Sequence, residues 1–468
     1  MPLSEEHLLR RHSRFRVNVD DNLLKNSLLY ICGSCLLLVI VFLAMLPGPL
    51  VNYMRRVSFL RSVVKMDRSL GKVATEANFT GQVVLCHLNL SAFYRADPYR
   101  YTVLDVPVNG CSYVVYPLHG LDDWFEDMLN YDAYQRASHP GLFEDMQYLR
   151  EQHGLPVLVY VDALHGDHGQ HHLVQWIGGG ETAAMQFARN LIKWLLGNRL
   201  NGLMLEGVFP APARDRSVVI KLLKKMYTLF KQVWIVFADT AQLLLVIVAP
   251  DYVILEHPLA FGKRLSPYLH YLVVRSHDHR FGKAVNSLDA LQKRLQDSRD
   301  VLSATLNVAM AAGMPSKQLL ASMTLDGISF SVEGKEARPG KPRPVTNEFG
   351  VMAYFEVCVL VQNSSWTRMP SRGFGNPVAY RDMEGVVYED PESARHKVDV
   401  AKSSSLGGLV LWDVTSDDYR GDCGAVNPIT TTVVNTLRDG VGPGASSTSS
   451  AFVFLRPSSP ANDSLPAP

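Results

Sequence analysis

Short apolar runs alternate with amphipathic segments along most of this chain. Ordered sequence begins near "GQVVLCHL". "LPVLVYVDAL" then reads as a strand. "ETAAMQFARNLIKWLLGN" places Ala184, Phe187, Ala188, Leu191, Trp194 and Leu195 at helical spacing on one face. "LNGLMLEGVF" reads as a strand, "SVVIKLLKKMYTLFKQ" as a helix, and "VWIVFAD" and "PDYVILEH" as further strands. "SATLNVAMAAGM" predicts a helix ending at Gly313, followed by the strand "QLLASMTLDGISF". Repeated strand–helix units of this length predict a parallel α/β fold.

The texture changes twice. Near Gly334 it turns to Gly, Pro and charge, with short strands up to about Glu389. This predicts a small α+β module inserted at about residues 332–390. The helix "DPESARHKVDVAKSS" and the strand "GGLVLWDV" then resume the larger fold. From Val441 the chain is Ser/Pro-rich, a composition that predicts a disordered tail over 441–468.

The N-terminal region has a different pattern. Ser27–Leu46 carries no charge, and about 20 apolar residues suffice to cross a hydrocarbon core. Pro47, Gly48 and Pro49 end the run, and no small-residue cleavage site follows it. The expectation is an uncleaved transmembrane signal anchor over 27–47, a cytosolic tail over 1–26 and a basic stalk over 48–80. Arginines flank the span on both sides, so charge alone does not orient it. Sequons at Asn78, Asn89, Asn363 and Asn462 all follow it. They favour a type II arrangement with residues 81–440 extracellular or luminal.

Charge narrows the partners. Lys and Arg number 46 against 45 Asp and Glu, a net charge of +1. Such balance offers no field for a polyanion, so nucleic acid is not expected. Hydrophobic residues make up 47% of the 468, enough for a large core. Cys32 and Cys35 fall in the span, where membrane filler or acylation is the plain reading of their spacing. Cys86, Cys111, Cys358 and Cys423 remain, and four cysteines allow three connectivities.

Several segments, in order, resemble glycoside hydrolase family 18, the chitinases and chitinase-like proteins, in an arthropod-like form. "VVLCHLNLSAFYR" and "GCSYVVYPL" resemble that family's first two strands with their cysteines. "AAGMPSKQLLASMTLDGISF" resembles the approach to strand seven, "TNEFGVMAYFEVC" the inserted module, and Asn376–Gly424 the last helix and strand. The resemblance implies a (β/α)8 TIM barrel with an inserted α+β module, here preceded by one transmembrane helix. It also implies the bridges Cys86–Cys111 and Cys358–Cys423.

Against that family's strand four, D-G-x-D-x-D-x-E-Y-P, this chain reads "NGLMLEGVFP". The resemblance puts Asn201 and Met204 at the first two Asp positions, Glu206 at the third and Val208 at the catalytic Glu. The family's reaction is substrate-assisted, with that Glu donating a proton while the substrate's acetamido group attacks. Val208 has no proton to give. Alternation predicts 204, 206 and 208 on the barrel-facing side, with Glu206 about 6–7 Å below Val208. By resemblance, Asp162 and Leu164 stand where strand three ends, and Glu256, His257, Pro258 and Leu259 fit the end of strand six. Asp326 replaces the strand-seven Tyr. Trp412 keeps the strand-eight place where the family stacks a sugar, although a large ring in a barrel core needs no ligand to explain it.

Asp162, Glu206, Glu256 and Asp326 are thus candidates for a new acidic site near strand C-termini, with partnered or solvated carboxylates as the plain alternative. "HGDHGQHH", residues 165–172, has histidines but also Gly166 and Gly169, so a solvated loop is expected in place of a metal site. "RSHDHR", residues 275–280, reads the same way, and Lys224-Lys225 reads as a solvated helix face. The expectation is a membrane-anchored, chitinase-like pseudoenzyme without metal or cofactor, binding chitin-like or other glycans or a protein. The rivals are a hydrolase of N-acetylglucosamine-containing glycans using the repurposed acids, and a structural or adhesive ectodomain.

Overall fold

A computed structural model describes residues 81–118, 140–162, 181–208, 213–236, 243–276, 301–333, 336–369 and 376–439. The expected tail, span and stalk, Asn78, the "HGDHGQHH" loop, Leu164 and the Ser/Pro-rich tail all lie outside these residues.

Eight parallel strands close a barrel. In chain order they are β1 (Val83–His87), β2 (Tyr113–Pro117), β3 (Val157–Asp162), β4 (Gly202–Glu206), β5 (Leu244–Pro250), β6 (Tyr271–Arg275), β7 (Leu319–Thr324) and β14 (Gly408–Trp412). Around them run α1 (Pro140–His153), α2 (Glu181–Gly197), α3 (Ala213–Val236), α4 (Asp251–Glu256), α5 (Pro258–Phe261), helical residues 301–311 (α6), α8 (Pro391–Ser403) and α9 (Pro428–Arg438). The apolar stripe foreseen on α2 is the buried one: Ala184, Phe187, Ala188, Leu191, Trp194 and Leu195 are all inside.

Inward-facing residues fill the barrel. Leu85, Val115, Leu158, Met204, Val246, Val273, Leu320 and Val410 form one buried cluster, the layered packing expected of such barrels. Two glycines permit the closure. Gly202 opens β4 at φ +148, where a Cβ would meet the Leu244 carbonyl oxygen at 2.1 Å. Gly408 opens β14 at φ +153, with the Val83 carbonyl oxygen at 1.9 Å from such a Cβ.

A second, six-stranded antiparallel sheet follows β7. It comprises β8 (Asp326–Glu333), β9 (Glu336–Pro339), β10 (Val351–Ala353), β11 (Thr367–Met369), β12 (Val378–Arg381) and β13 (Glu384–Val387), with α7 (Tyr354–Gln362) between β10 and β11. The sheet starts at Asp326, ahead of the expected 332.

Both disulfides pair as the resemblance implied. The Cα atoms of Cys86 and Cys111 are 5.7 Å apart, and those of Cys358 and Cys423 are 6.1 Å apart. Of the described sequons, Asn363 is exposed. The Asn89 side chain accepts from Ser91 N at 3.0 Å, capping a 3-10 turn.

Strands five and six differ from the sequence reading. Val233–Val236, read as strand, ends α3, and Asp251–Glu256 is the helix α4. The true β5 is buried along its whole length, as suits a parallel strand covered on both faces. Pro250 closes it and starts α4, where Asp251 stands in the first turn and Val253 and Ile254 pack inward. The true β6 is "YLVVR", ending at Arg275. Glu256, His257, Pro258 and Leu259 therefore do not end a barrel strand, and the exposed Glu256 is not part of the barrel mouth.

Candidate functional site

The C-terminal ends of the barrel strands carry polar and aromatic side chains above the apolar cluster. On β4, Met204 belongs to that cluster, so Glu206, two residues on, faces the same way. Glu206 is only 1% exposed. The Tyr160 hydroxyl of β3 donates to Glu206 Oε2 at 2.7 Å. Arg275 Nη2 of β6 lies 2.8 Å from Glu206 Oε1. Both carboxylate oxygens are thus engaged, one by a neutral donor and one by a guanidinium. Burial first, and the charges of Glu206 and Asp162 next, hold the Tyr160 hydroxyl well above its ordinary value, so it remains a donor. Asp162 pairs in register with Glu206 on the neighbouring strand.

Arg275 is a correction to the sequence reading, which placed it in a solvated loop. It ends an apolar strand on the inward parity of Tyr271 and Val273, and a buried carboxylate opposite supplies the compensation such a charge needs. His277 to Arg280 lie outside the described residues.

A second group sits around β1 and β14. His87 lies flat against Trp412, ring centroids 4.2 Å apart and planes 8° apart. Tyr160 meets both rings edge-on, at 4.9 Å from His87 and 5.3 Å from Trp412. His87 Nδ1 bonds to the Asp413 carboxylate. Its Nε2 is buried without a hydrogen-bond partner among the described residues. One face of the Trp412 indole is thus occupied by the chain's own imidazole.

Asp326 follows β7 and lies close enough to Asp413 for their charges to interact. Burial first, then Asp413, push its carboxyl up to about 8, against the opposing pull of Ser416 and Arg95. Glu348 is raised as well, by burial first and by Asp413, with Arg95 opposing. Arg95 is itself fixed from below, donating to the Thr415 carbonyl at 3.1 Å and lying 5.3 Å over the Phe355 ring.

The mouth thus gathers Asp162, Glu206, Asp326 and Trp412 from the foreseen residues, and leaves Glu256 out. Asn201 is buried at the opposite end of β4, where its Oδ1 accepts from Val157 N at 3.1 Å. Val208 is 3% exposed and follows Gly207, whose φ of 77 ends the strand alternation before it. His87, Arg275, Asp413, Arg95 and Glu348 were not foreseen. The parity Val83–Leu85–His87 and Tyr271–Val273–Arg275 was the available signal for the first two.

The sequence model of glycosyl hydrolases family 18 matches residues 85–417. This chain belongs to that family. The family 18 chain is 26% identical to an endochitinase of Manduca sexta over 385 residues, which covers 74% of this chain and 66% of the relative. It is 22% identical to human chitinase-3-like protein 2 over 358 residues, covering 72% of this chain and 87% of the relative. It spans only 16% of probable chitinase 10 of Drosophila melanogaster. Among solved structures, catalytic domain 2 of the Ostrinia furnacalis Group II chitinase superposes with a TM-score of 0.61 at 21% identity, covering 78% of this chain and 98% of that one. Human YKL-39, described as a pseudo-chitinase with retained chitooligosaccharide binding properties, superposes with the same TM-score of 0.61 at 20% identity, covering 76% and 100%. These likenesses bear on the barrel fold of the family 18 chain.

Proposed function

We propose that this protein is a membrane-anchored, chitinase-like pseudoenzyme that binds glycan at the barrel mouth without hydrolysing it. The observation that carries the reading is how Glu206 is held. Arg275 at 2.8 Å and the Tyr160 hydroxyl at 2.7 Å both favour the carboxylate form of Glu206, against the opposing effect of its burial. That form is a poor proton donor, and general acid catalysis needs a donor with a proton to give. Val208 stands where the resemblance places the family's donor, and it is apolar and buried. The retained chitooligosaccharide binding described for YKL-39 supports binding without turnover as a workable outcome on this fold. Anchoring rests on the uncharged run Ser27–Leu46. Residues 1–26 are then cytosolic and the barrel extracellular or luminal, with Asn78, Asn89 and Asn363 available to glycosylation.

The test pairs two measurements on the full-length protein in detergent micelles. One is turnover of a fluorogenic chitobioside, expected to equal that of a denatured control. The other is binding of chitooligosaccharides on a glycan array, expected to weaken in Trp412→Ala. Turnover above the control would overturn the pseudoenzyme reading. No glycan binding at all would leave a structural or adhesive role in its place.

One observation favours a second reading. Burial first, then Asp413, push the Asp326 carboxyl up to about 8, the direction a general acid needs near neutral pH. Under that reading chitobioside turnover is measurable and is lost in Asp326→Asn.

A further inference from the structure

Away from the mouth, α3 and the α4–α5 elbow enclose a groove of about 640 Å³. Its floor is apolar, formed by Ile220, Pro258, Leu259 and Tyr268 among others. Leu259, which lines the groove, is 74% exposed. Exposed aliphatic side chains gathered at a concave site mark interaction surfaces more often than isolated ones do.

The rim carries a one-sided charge. Among the described lining residues, Arg216, Lys221, Lys224 and Arg264 stand against one acid, Glu256. Arg216, Ile220 and Lys224 stand four residues apart on α3, so one helix face alternates cation and aliphatic along the groove. The Lys224 ammonium lies 5.7 Å from the centre of the Tyr268 ring, which ties that cation to the floor. The excess is local, since the whole chain balances 46 basic against 45 acidic residues.

We propose that this groove docks a short acidic, amphipathic segment of a partner protein. Aliphatic or aromatic side chains of the segment cover Ile220, Pro258 and Leu259, and its carboxylates meet Lys221, Lys224 and Arg264. This is the helix-in-groove mode of recognition with charge complementarity added. A sulfated glycan would match the cations but has no apolar groups for the floor. A lipid bilayer is flat or convex on this scale and does not fill a concavity. The inference is independent of the glycan-binding reading, because none of these residues belongs to the mouth.

A random-peptide phage library panned on the full-length protein tests it, with Lys221→Glu/Arg264→Glu as counter-target. Both side chains are exposed, so the variant should melt with the wild type. Enriched sequences should interleave Asp or Glu with Leu, Ile or Phe. A synthetic copy should bind the wild type in a salt-sensitive manner, and bind the double variant at least about tenfold more weakly, about 1.4 kcal/mol. Leu259→Asp, which alters the floor and not the basic rim, should weaken it as well. The proposal fails if no sequence is enriched over the counter-target, if the enriched sequences are neutral or basic, or if neither variant weakens them. It also fails if heparin fragments or phosphatidylserine vesicles, and not peptides, lose binding in the double variant. Chitooligosaccharide binding should be unchanged in both variants, which separates this outcome from failure of the mouth.

Discussion

Arg275 and Glu206 meet across an intervening strand. Arg275 Nη2 lies 2.8 Å from Glu206 Oε1, although β5 separates β6 from β4 in the barrel. Removing one member leaves a buried charge uncompensated. Arg275→Ala should therefore cost about 3–5 kcal/mol, read from denaturant unfolding. Arg275→Met combined with Glu206→Leu should cost much less, since both charges leave together. Equal stability of Arg275→Ala and wild type would remove this pair from the account of the mouth.

Restoring a carboxyl group at residue 208 should not create a chitinase. Val208 is only 3% exposed. Val208→Glu should destabilise the fold by about 1–3 kcal/mol, the usual cost of an unsatisfied buried polar group. It would not free Glu206 from Arg275. Groups that act as a unit are strongly non-additive, so one part alone recovers little. Fluorogenic chitobioside turnover should stay at the level of the denatured control, and a clear rate in this variant would contradict the argument.

The Asp326 carboxyl predicts a pH dependence of stability. Burial and Asp413 push it up to about 8 in the folded chain, whereas an unfolded Asp titrates near 3.9. The folded state thus holds a proton that the unfolded state has lost. The stabilisation is complete below about pH 4 and is lost as pH rises towards 8. Asp326→Asn should flatten the Tm profile across that window and raise Tm near its upper end by about 2–4 °C. A profile of unchanged slope in the variant would assign the dependence to other groups.

The Cys358–Cys423 bridge joins α7 of the second sheet to the chain that follows β14. Replacing both cysteines by Ser should cost about 2–4 kcal/mol of unfolding free energy. Guanidinium unfolding of the paired variant measures it, and a loss below about 1 kcal/mol would mean that packing alone fixes the sheet.

Much of the barrel was legible because strand and helix periods alternate so regularly. The errors fall where periodicity is ambiguous. "PDYVILEH" is a short apolar run that fits a buried strand or a buried helix turn equally well. Pro250 and Asp251, which close β5 and open α4, were the discriminating residues. The continuous run ending in "LLVIVAP" is the stronger strand signal. At the mouth, the family resemblance placed Trp412, Glu206, Asp162 and Asp326 at strand ends. Arg275 shares the inward parity of Tyr271 and Val273, but a basic residue at the end of an apolar run usually marks solvent, so parity alone gives it no partner. Its role depends on Glu206, 69 positions away in sequence and brought near only by barrel closure. His87 against Trp412 has the same origin, since β1 and β14 become neighbours only when the barrel shuts.

The covalent link between Cys358 and Cys423 also decides what a protease can achieve. These residues are 65 apart in sequence, and any cut between them, within β11 to β14 or their connections, opens the chain without releasing a fragment. A clipped form would migrate as one intact molecule on a non-reducing gel and separate into two pieces only after thiol treatment. Processing in this segment therefore goes unseen in a preparation judged homogeneous on a non-reducing gel, and the reduced lane reveals it.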